Sequence, residues 1–346
     1  MKIGEFDLNK VYCMNCFDML KGIPDKSVNL VLIDPPYFQV MKTDWKGQKY
    51  EWDNQWTGIK EYQDWIKKLG LEVKRILKDN GSFYIFADDK VCAYVQVILD
   101  ELFILLNSIT WVKPNNLTIK GWNQYRSYAP ITEKILFYSN EWDINSNKIL
   151  VTKACRECKE YLRNEISKAK GEINFIKVDE IIKNPLNKRG SADKILSLAS
   201  VYNHMITKKE YIKLQEWLNK DCNPNYQYLC KDYNELYLNY EKSYEDYKYI
   251  RRPFEPSKNF TDVWTFNILG VKESLGKHPT QKPLAIIKRI IETSSREGDI
   301  VLDCFMGSGT TAKASYELYR KFIGCDINQE YVNLTNGRLK QKVLTW

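Results

Sequence analysis

The sequence predicts an α/β protein built on a doubly wound, mostly parallel sheet that is circularly permuted, and three observations carry that prediction. Short apolar runs with strand character alternate with longer amphipathic segments in the first 140 residues and again after Asp262. A glycine-rich turn follows a strand-like run and opens a helix. That turn comes late, with a single β-α-β unit left after Leu302, so the other strands of its sheet must be supplied by the N-terminal half.

Strand patterns cover Val11 to Met14, Val28 to Ile33, Ser82 to Phe86, Ile109 to Val112 and Lys134 to Tyr138. Between the second and third, Glu61 to Leu77 places Tyr62, Trp65, Ile66, Leu69, Val73, Ile76 and Leu77 on one helical face. Asn80-Gly81 then reads as the turn that closes it. From about Asn140 to Pro256 Lys, Glu, Asn and Tyr dominate, which marks an inserted, mainly helical region. The α/β pattern returns with a helix from Pro283 to Thr293, a strand Ile300 to Leu302, the glycine turn with its helix, and a strand Phe322 to Cys325. The predicted divisions are 1–140, 141–255 and 256–346.

Composition bounds the function classes. The chain has 346 residues, 44% of them hydrophobic, which is enough to bury a sizeable core. A net charge of +8 suits a polyanionic partner without demanding one. The longest apolar run, Leu102 to Leu106, is far short of the roughly 18 residues of a spanning helix, and MKIGEFDLNK lacks a signal-like core. A soluble, cytoplasmic protein with no membrane partner is expected. Nine cysteines, an odd number, point to reduced thiols rather than a disulfide framework. Cys155 and Cys158 could join Cys222 and Cys230 in a zinc site, but seven residues separate the last two and the expectation is no metal.

Two motifs carry chemistry. Asp303-Cys-Phe-Met-Gly307-Ser-Gly309-Thr-Thr311-Ala312 is the kind of turn that lets backbone approach a ligand, and Asp326 stands 19 residues after Gly307, at the end of the next strand. A carboxylate there can accept both hydroxyls of an adenosine ribose. A dinucleotide would satisfy the same fingerprint, but dinucleotide domains usually begin with their glycine loop, and this one comes late. The second motif, Asp34-Pro35-Pro36-Tyr37-Phe38, ends a buried-type strand where two prolines stop the ladder. A carboxylate, a carbonyl and an aromatic face are thereby held at the carboxyl end of a strand. Such a set suits a planar base with an exocyclic amine: Asp34 accepts one N–H, the Pro35 carbonyl the other, and Tyr37 stacks on the ring.

With both motifs in one chain, the sequence resembles the S-adenosylmethionine-dependent amino-methyltransferases of DNA, which act on adenine N6 or cytosine N4. The order, with the Asp-Pro-Pro-Tyr loop first and the glycine loop last, is that of the permuted β class. Gly22-Ile-Pro-Asp-Lys-Ser-Val-Asn-Leu, Trp111-Val-Lys113-Pro, Glu133-Lys-Ile-Leu-Phe, Asp262-Val-Trp264 and Lys277-His278-Pro279-Thr280-Gln281-Lys282-Pro283 are similar to family segments in sequence and order. The resemblance spans roughly residues 10–140 and 260–340. It implies a Rossmann-like methyltransferase sheet and, for residues 141–255, a target-recognition region.

Carried over by position, the resemblance implies that Phe305, Gly307, Gly309 and Thr310 line S-adenosylmethionine, with Asp303 opening their motif and Asp34 bordering the same site. It gives Asp326 the ribose, Asp18 the cofactor adenine, and Thr280 and Lys282 the methionine end. Asp34, Pro35, Pro36 and Tyr37 form the catalytic loop. His278 is expected to pack or cap rather than act as a base. The function implied is methylation of a flipped adenine at N6 in double-stranded DNA, in a restriction-modification setting, with cytosine N4 as the alternative. A homodimer and a cognate restriction endonuclease are the further partners considered. A catalytically inactive nucleic-acid-binding protein is the reading from another class, against which the intact Asp34 and glycine loop argue; RNA or a side-chain amide as methyl acceptor would call for a different motif order.

Overall fold

The computed structural model describes residues 1–39, 51–113, 131–140, 158–182, 196, 206–220, 226–236, 238, 253–254, 261–267 and 280–340. The chain forms two compact units, one of residues 1–141 with 252–346 and one of residues 142–251.

In the larger unit a small ribbon of β1 (Lys2–Ile3) and β2 (Phe6–Asp7) precedes the main sheet. The main sheet takes β3 (Lys10–Cys13), β4 (Val28–Ile33), β5 (Leu77–Ala87), β6 (Ile104–Val112), β7 (Thr132–Ser139), β8 (Val263–Thr265), β9 (Ile300–Asp303) and β10 (Lys321–Asp326). Its spatial order is β3-β10-β9-β4-β5-β7-β6-β8. The late strands β9 and β10 lie between the early strands β3 and β4, and the five strands from β3 to β5 are parallel. This is the permuted arrangement that the motif order predicts. One strand departs from the parallel expectation: β7 runs antiparallel to both β5 and β6.

Both faces of the central strands are apolar because both are covered. Along β4 and β5, Val31, Ile33, Phe83 and Ile85 join the core beneath α1 (Cys16–Gly22), α2 (Ile59–Ile76) and α3 (Cys92–Asp100). The alternate residues Leu30, Leu32, Tyr84 and Phe86 face the other way and pack with α7 (Leu284–Ser294). Ile286, Ile287, Ile290 and Ile291 of α7 are at most 2% exposed, and each contributes about 1.5–3 kcal/mol at most by burial.

The expected turn at Asn80-Gly81 lies within a strand. α2 stops at Ile76 and β5 begins at Leu77. Between the pairs Val28↔Leu77 and Leu30↔Ser82 the register jumps, so Lys78 to Gly81 bulge from β5. A β-carbon at Gly81 would stand 2.6 Å from the Leu77 side chain and 2.9 Å from the Lys78 carbonyl oxygen, which favours glycine there.

The smaller unit is helical where it is described: α4 over residues 158–170, α5 (Phe175–Ile182) and α6 (Lys208–Asn219). Leu162, Ile166, Val178, Ile182, Leu214 and Leu218 form its core. A capping box starts α6, with Thr207 Oγ1 accepting from the Glu210 amide and Glu210 Oε2 accepting from the Thr207 amide. Buried Glu165 accepts the Leu229 amide at 3.1 Å and pairs with Lys168 at 2.9 Å. Among the described residues no helix is long and apolar enough to cross a membrane. The described cysteines are all free. Cys155, Cys222 and His278 lie outside the described residues.

Candidate active site

Four acidic groups reach one edge of the larger unit's sheet. Asp34 follows the last residue of β4, Asp303 ends β9 and Asp326 ends β10. Glu133 joins them because β7 is antiparallel. Lys134 pairs with Ala87, the last residue of β5, so the beginning of β7 lies at the edge where its parallel neighbours end. Open α/β sheets bind ligands at this edge.

The Asp34 loop is fixed from below. The Tyr37 amide donates to Asp53 Oδ1 at 2.6 Å and the Tyr62 hydroxyl donates to the Pro36 carbonyl at 3.0 Å. Asp53 is fully buried. Phe38 and Gln39 both adopt φ of 57°, in the left-handed region. The Phe38 ring stacks on Tyr62 with centroids 5.6 Å apart, which anchors this unfavourable backbone.

Around Asp34 lies a network of charges. Lys282 Nζ stands 2.7 Å from Asp34 Oδ2 and 3.0 Å from Glu133 Oε1. The Tyr37 hydroxyl donates to Asp34 Oδ1 and lies 2.8 Å from Glu133 Oε1. Lys113 pairs with the other oxygen of Glu133 at 2.7 Å. Burial pushes the Asp34 carboxyl up, against the pull of the Lys282 ammonium and with the push of Glu133. At Glu133 burial also opposes ionisation, but the Lys282 and Lys113 ammoniums outweigh it and hold the carboxyl at about 2. Lys282 is itself buried; burial lowers its pKa, and the two carboxylates more than reverse this, so the group is held above its ordinary value.

Beside this network opens a cleft of about 490 Å³, lined among others by Asn15, Asp34, Pro36, Trp65, Thr280, Phe305, Gly307 and Asp326. Asp326 Oδ2 accepts the Gly307 amide at 2.8 Å and Oδ1 accepts the Asn328 amide at 2.9 Å. The Trp65 and Phe305 rings meet with centroids 5.8 Å apart. A smaller recess of about 30 Å³ is lined by Lys282, Asp303, Thr310 and Thr311, together with Asp34, Thr280, Phe305 and Gly307.

The structure therefore brings together most of the residues singled out in the sequence, with four differences. Pro35 is buried and lines neither the cleft nor the recess. Asp18 does not line the cleft. It is exposed in the first turn of α1, where a carboxylate meets the positive end of the helix dipole, and Asn15 reaches the cleft instead, while also capping α1 through the Phe17 amide. Gly309 is not among the cleft residues; it has φ of +75° and opens α8 (Thr310–Glu317), where a β-carbon would stand 2.5 Å from Thr335 Cγ2. Lys282, expected at a ligand, is engaged by Asp34 and Glu133. Asn15 and Asp53 carry no local motif signal; Lys113 and Glu133 stand in segments that resemble the family, but the resemblance gives them no role, and Glu133 meets Tyr37 across 96 positions of sequence.

This site stands on a permuted α/β sheet with an Asp-Pro-Pro-Tyr loop beside the cleft, and the chain belongs to the N6-adenine/N4-cytosine amino-methyltransferase family, described as DNA methylase, which matches residues 28–337. It is similar to the type II methyltransferase M1.MboII of Moraxella bovis, with 31% identity over 342 residues covering 97% of this chain and 98% of that one. It is also similar to the DNA adenine methyltransferase YhdJ of Escherichia coli K12, at 26% identity over 326 residues, 92% of this chain and 79% of that one. The solved structure of the PvuII DNA methyltransferase (cytosine-N4-specific) shares the fold, with a TM-score of 0.52 at 15% identity, covering 99% of this chain and 92% of that chain.

Proposed function

We propose that the chain is a site-specific DNA methyltransferase of a restriction-modification system that methylates adenine at N6, using S-adenosylmethionine. The observation that carries this reading is Asp34, held at the carboxyl edge of β4 and shared by the charged network and the cleft. The cleft's volume lies within the roughly 300–1,000 Å³ of small-molecule sites, and its donors and acceptors suit this cofactor. Asp326, already accepting two amides, would accept the ribose hydroxyls on its remaining lone pairs. Phe305 and Gly307 would line the cofactor, Thr280 would meet its methionine end, and Asn15 takes the place expected of Asp18. Asp303, Gly309 and Thr310 shape the loop that holds these groups. When bound, S-adenosylmethionine supplies an electrophilic methyl on a sulfonium.

An exocyclic amine is a poor nucleophile because its lone pair is delocalised into the ring. Asp34 and the Pro35 carbonyl, by accepting its hydrogens, localise that pair on nitrogen and stabilise the positive charge that develops there. The Pro36 carbonyl already accepts from the Tyr62 hydroxyl, which braces the loop where Pro36 borders the cleft. The base must leave the duplex to reach Asp34, at a cost of about a few kcal/mol that stacking on Tyr37 offsets. Residues 141–255 read the target sequence, and the setting is the cytoplasm. Adenine is preferred because the loop begins with Asp, where many cytosine-N4 relatives carry Ser. Incubation of the enzyme with labelled cofactor and DNA, RNA or protein, followed by mass spectrometry of nucleosides, is expected to give N6-methyladenine in DNA. N4-methylcytosine alone would overturn the choice of base, and no label in DNA would overturn the reading.

A further inference from the structure

Asp34 has a difficulty that the loop cannot resolve. Its carboxylate is meant to accept an amine and to stabilise positive charge, yet an ammonium already stands 2.7 Å from Oδ2. A full cation paired with Asp34 alone would spend the carboxylate and repel the developing charge. The geometry supplies the remedy. Lys282 is divided between Asp34 and Glu133, at 2.7 and 3.0 Å, and the Tyr37 hydroxyl spans the same two carboxylates. Lys113 engages the far oxygen of Glu133.

We propose that Glu133 is a positioning residue of the transfer site, which by sharing the Lys282 ammonium leaves Asp34 with negative charge and lone pairs for the target amine. The proposal rests on the function proposed above. With Asp34 ionised, Asp34, Lys282 and Glu133 sum to one negative charge, and Lys113 offsets it only through the other oxygen of Glu133. In the transfer the amine nitrogen forms a bond to the methyl as the methyl–sulfur bond breaks, the bonding pair leaves with sulfur, and the nitrogen then gives up one proton to solvent or to Asp34. Glu133 touches neither reacting atom; it acts through Lys282 and Tyr37.

The test is the pH profile of single-turnover transfer to DNA at saturating cofactor. The described charged groups around Asp34 are Lys282, Glu133, Tyr37 and, from β9, Asp303, with Lys113 behind Glu133. Asp34 works ionised, so the rate falls as pH drops through its pKa. Glu133 raises that pKa and Lys282 lowers it. Glu133→Gln is therefore expected to move the acid limb to lower pH while the plateau rate falls by about tenfold to a hundredfold, with cofactor KM unchanged. Lys282→Met is expected to move the limb the opposite way. Glu133→Asp, which keeps the charge, is expected to keep the wild-type limb. Circular dichroism checks folding, and if Glu133→Gln does not fold, the Asp and Met variants decide. Wild-type rate and limb in Glu133→Gln, or an unmoved limb in Lys282→Met, would overturn the proposal while Asp34→Ala stays inactive. If the wild-type enzyme labels no DNA, the functional reading has failed instead.

Discussion

Lys282 Nζ lies 2.7 Å from Asp34 Oδ2, although 248 positions separate the two residues. The contact ties the loop after β4 to the segment that leads into α7. Removing the carboxylate leaves Lys282 still paired with Glu133, so the fold is expected to survive the substitution. Asp34→Ala is expected to lower transfer at least about a hundredfold, because the lost interaction is needed chiefly in the transition state. Cofactor affinity by calorimetry should stay close to wild type. Substantial residual turnover would remove Asp34 from its role.

Asp326 serves the cleft rather than the amine. Asp326→Ala is expected to raise the cofactor concentration required while the rate largely recovers at saturation. It also strips the Gly307 and Asn328 amides of their acceptor, at about 1–3 kcal/mol of stability. Steady-state kinetics with cofactor as the varied substrate, together with thermal melts, check both halves. Normal cofactor affinity with no turnover would contradict the assignment.

Asp303 gives a pH-dependent stability. Burial raises its carboxyl from 3.8 to about 7, against the hydrogen bonds from Thr311 and the Phe305 amide. The folded state thus holds this proton more tightly than the unfolded chain does. Its contribution is fully present below about pH 4, is lost progressively up to about pH 7, and is constant above. Asn at this position stays neutral and can still accept from Phe305. The Tm of Asp303→Asn relative to wild type should therefore rise between pH 4 and 7 and then level off. A difference independent of pH would refute the account.

The unit of residues 142–251 is expected to carry sequence recognition. With residues 141–255 replaced by a short linker, the chain should lose its methylation sites, and wild-type DNA binding should weaken steeply with salt as counterions are released. Methylation of the same sites by the shortened chain would show that recognition lies elsewhere.

The permuted sheet was legible because its signals are local. Gly307, Gly309 and Asp326 sit at fixed spacing after a strand, and Asp34 is followed by two prolines, which the interior of a central strand does not tolerate. Glu133 was not legible as part of the site, since its place depends on β7 running antiparallel, and alternation alone does not reveal strand direction. That Asn15 borders the cleft was not legible for a different reason. Both Asn15 and Asp18 lie near the start of α1, and only the capping geometry decides which one faces the cleft. The bulge of Lys78 to Gly81 went unseen because Asn-Gly marks a turn and a bulge equally well.

The sheet order has a consequence for synthesis. When residues 1–140 have left the ribosome, β3 lacks its neighbour β10 and β4 lacks its neighbour β9, because neither late strand exists yet. The nascent chain therefore presents two open edges for the whole time that residues 141–299 are being translated. The sheet closes only when residues 300–326 emerge, by contacts of high sequence separation that are slow to form. An unfinished chain thus carries Asp34 without the strands that complete its pocket, and chaperone capture in that interval would guard the exposed edges from other chains.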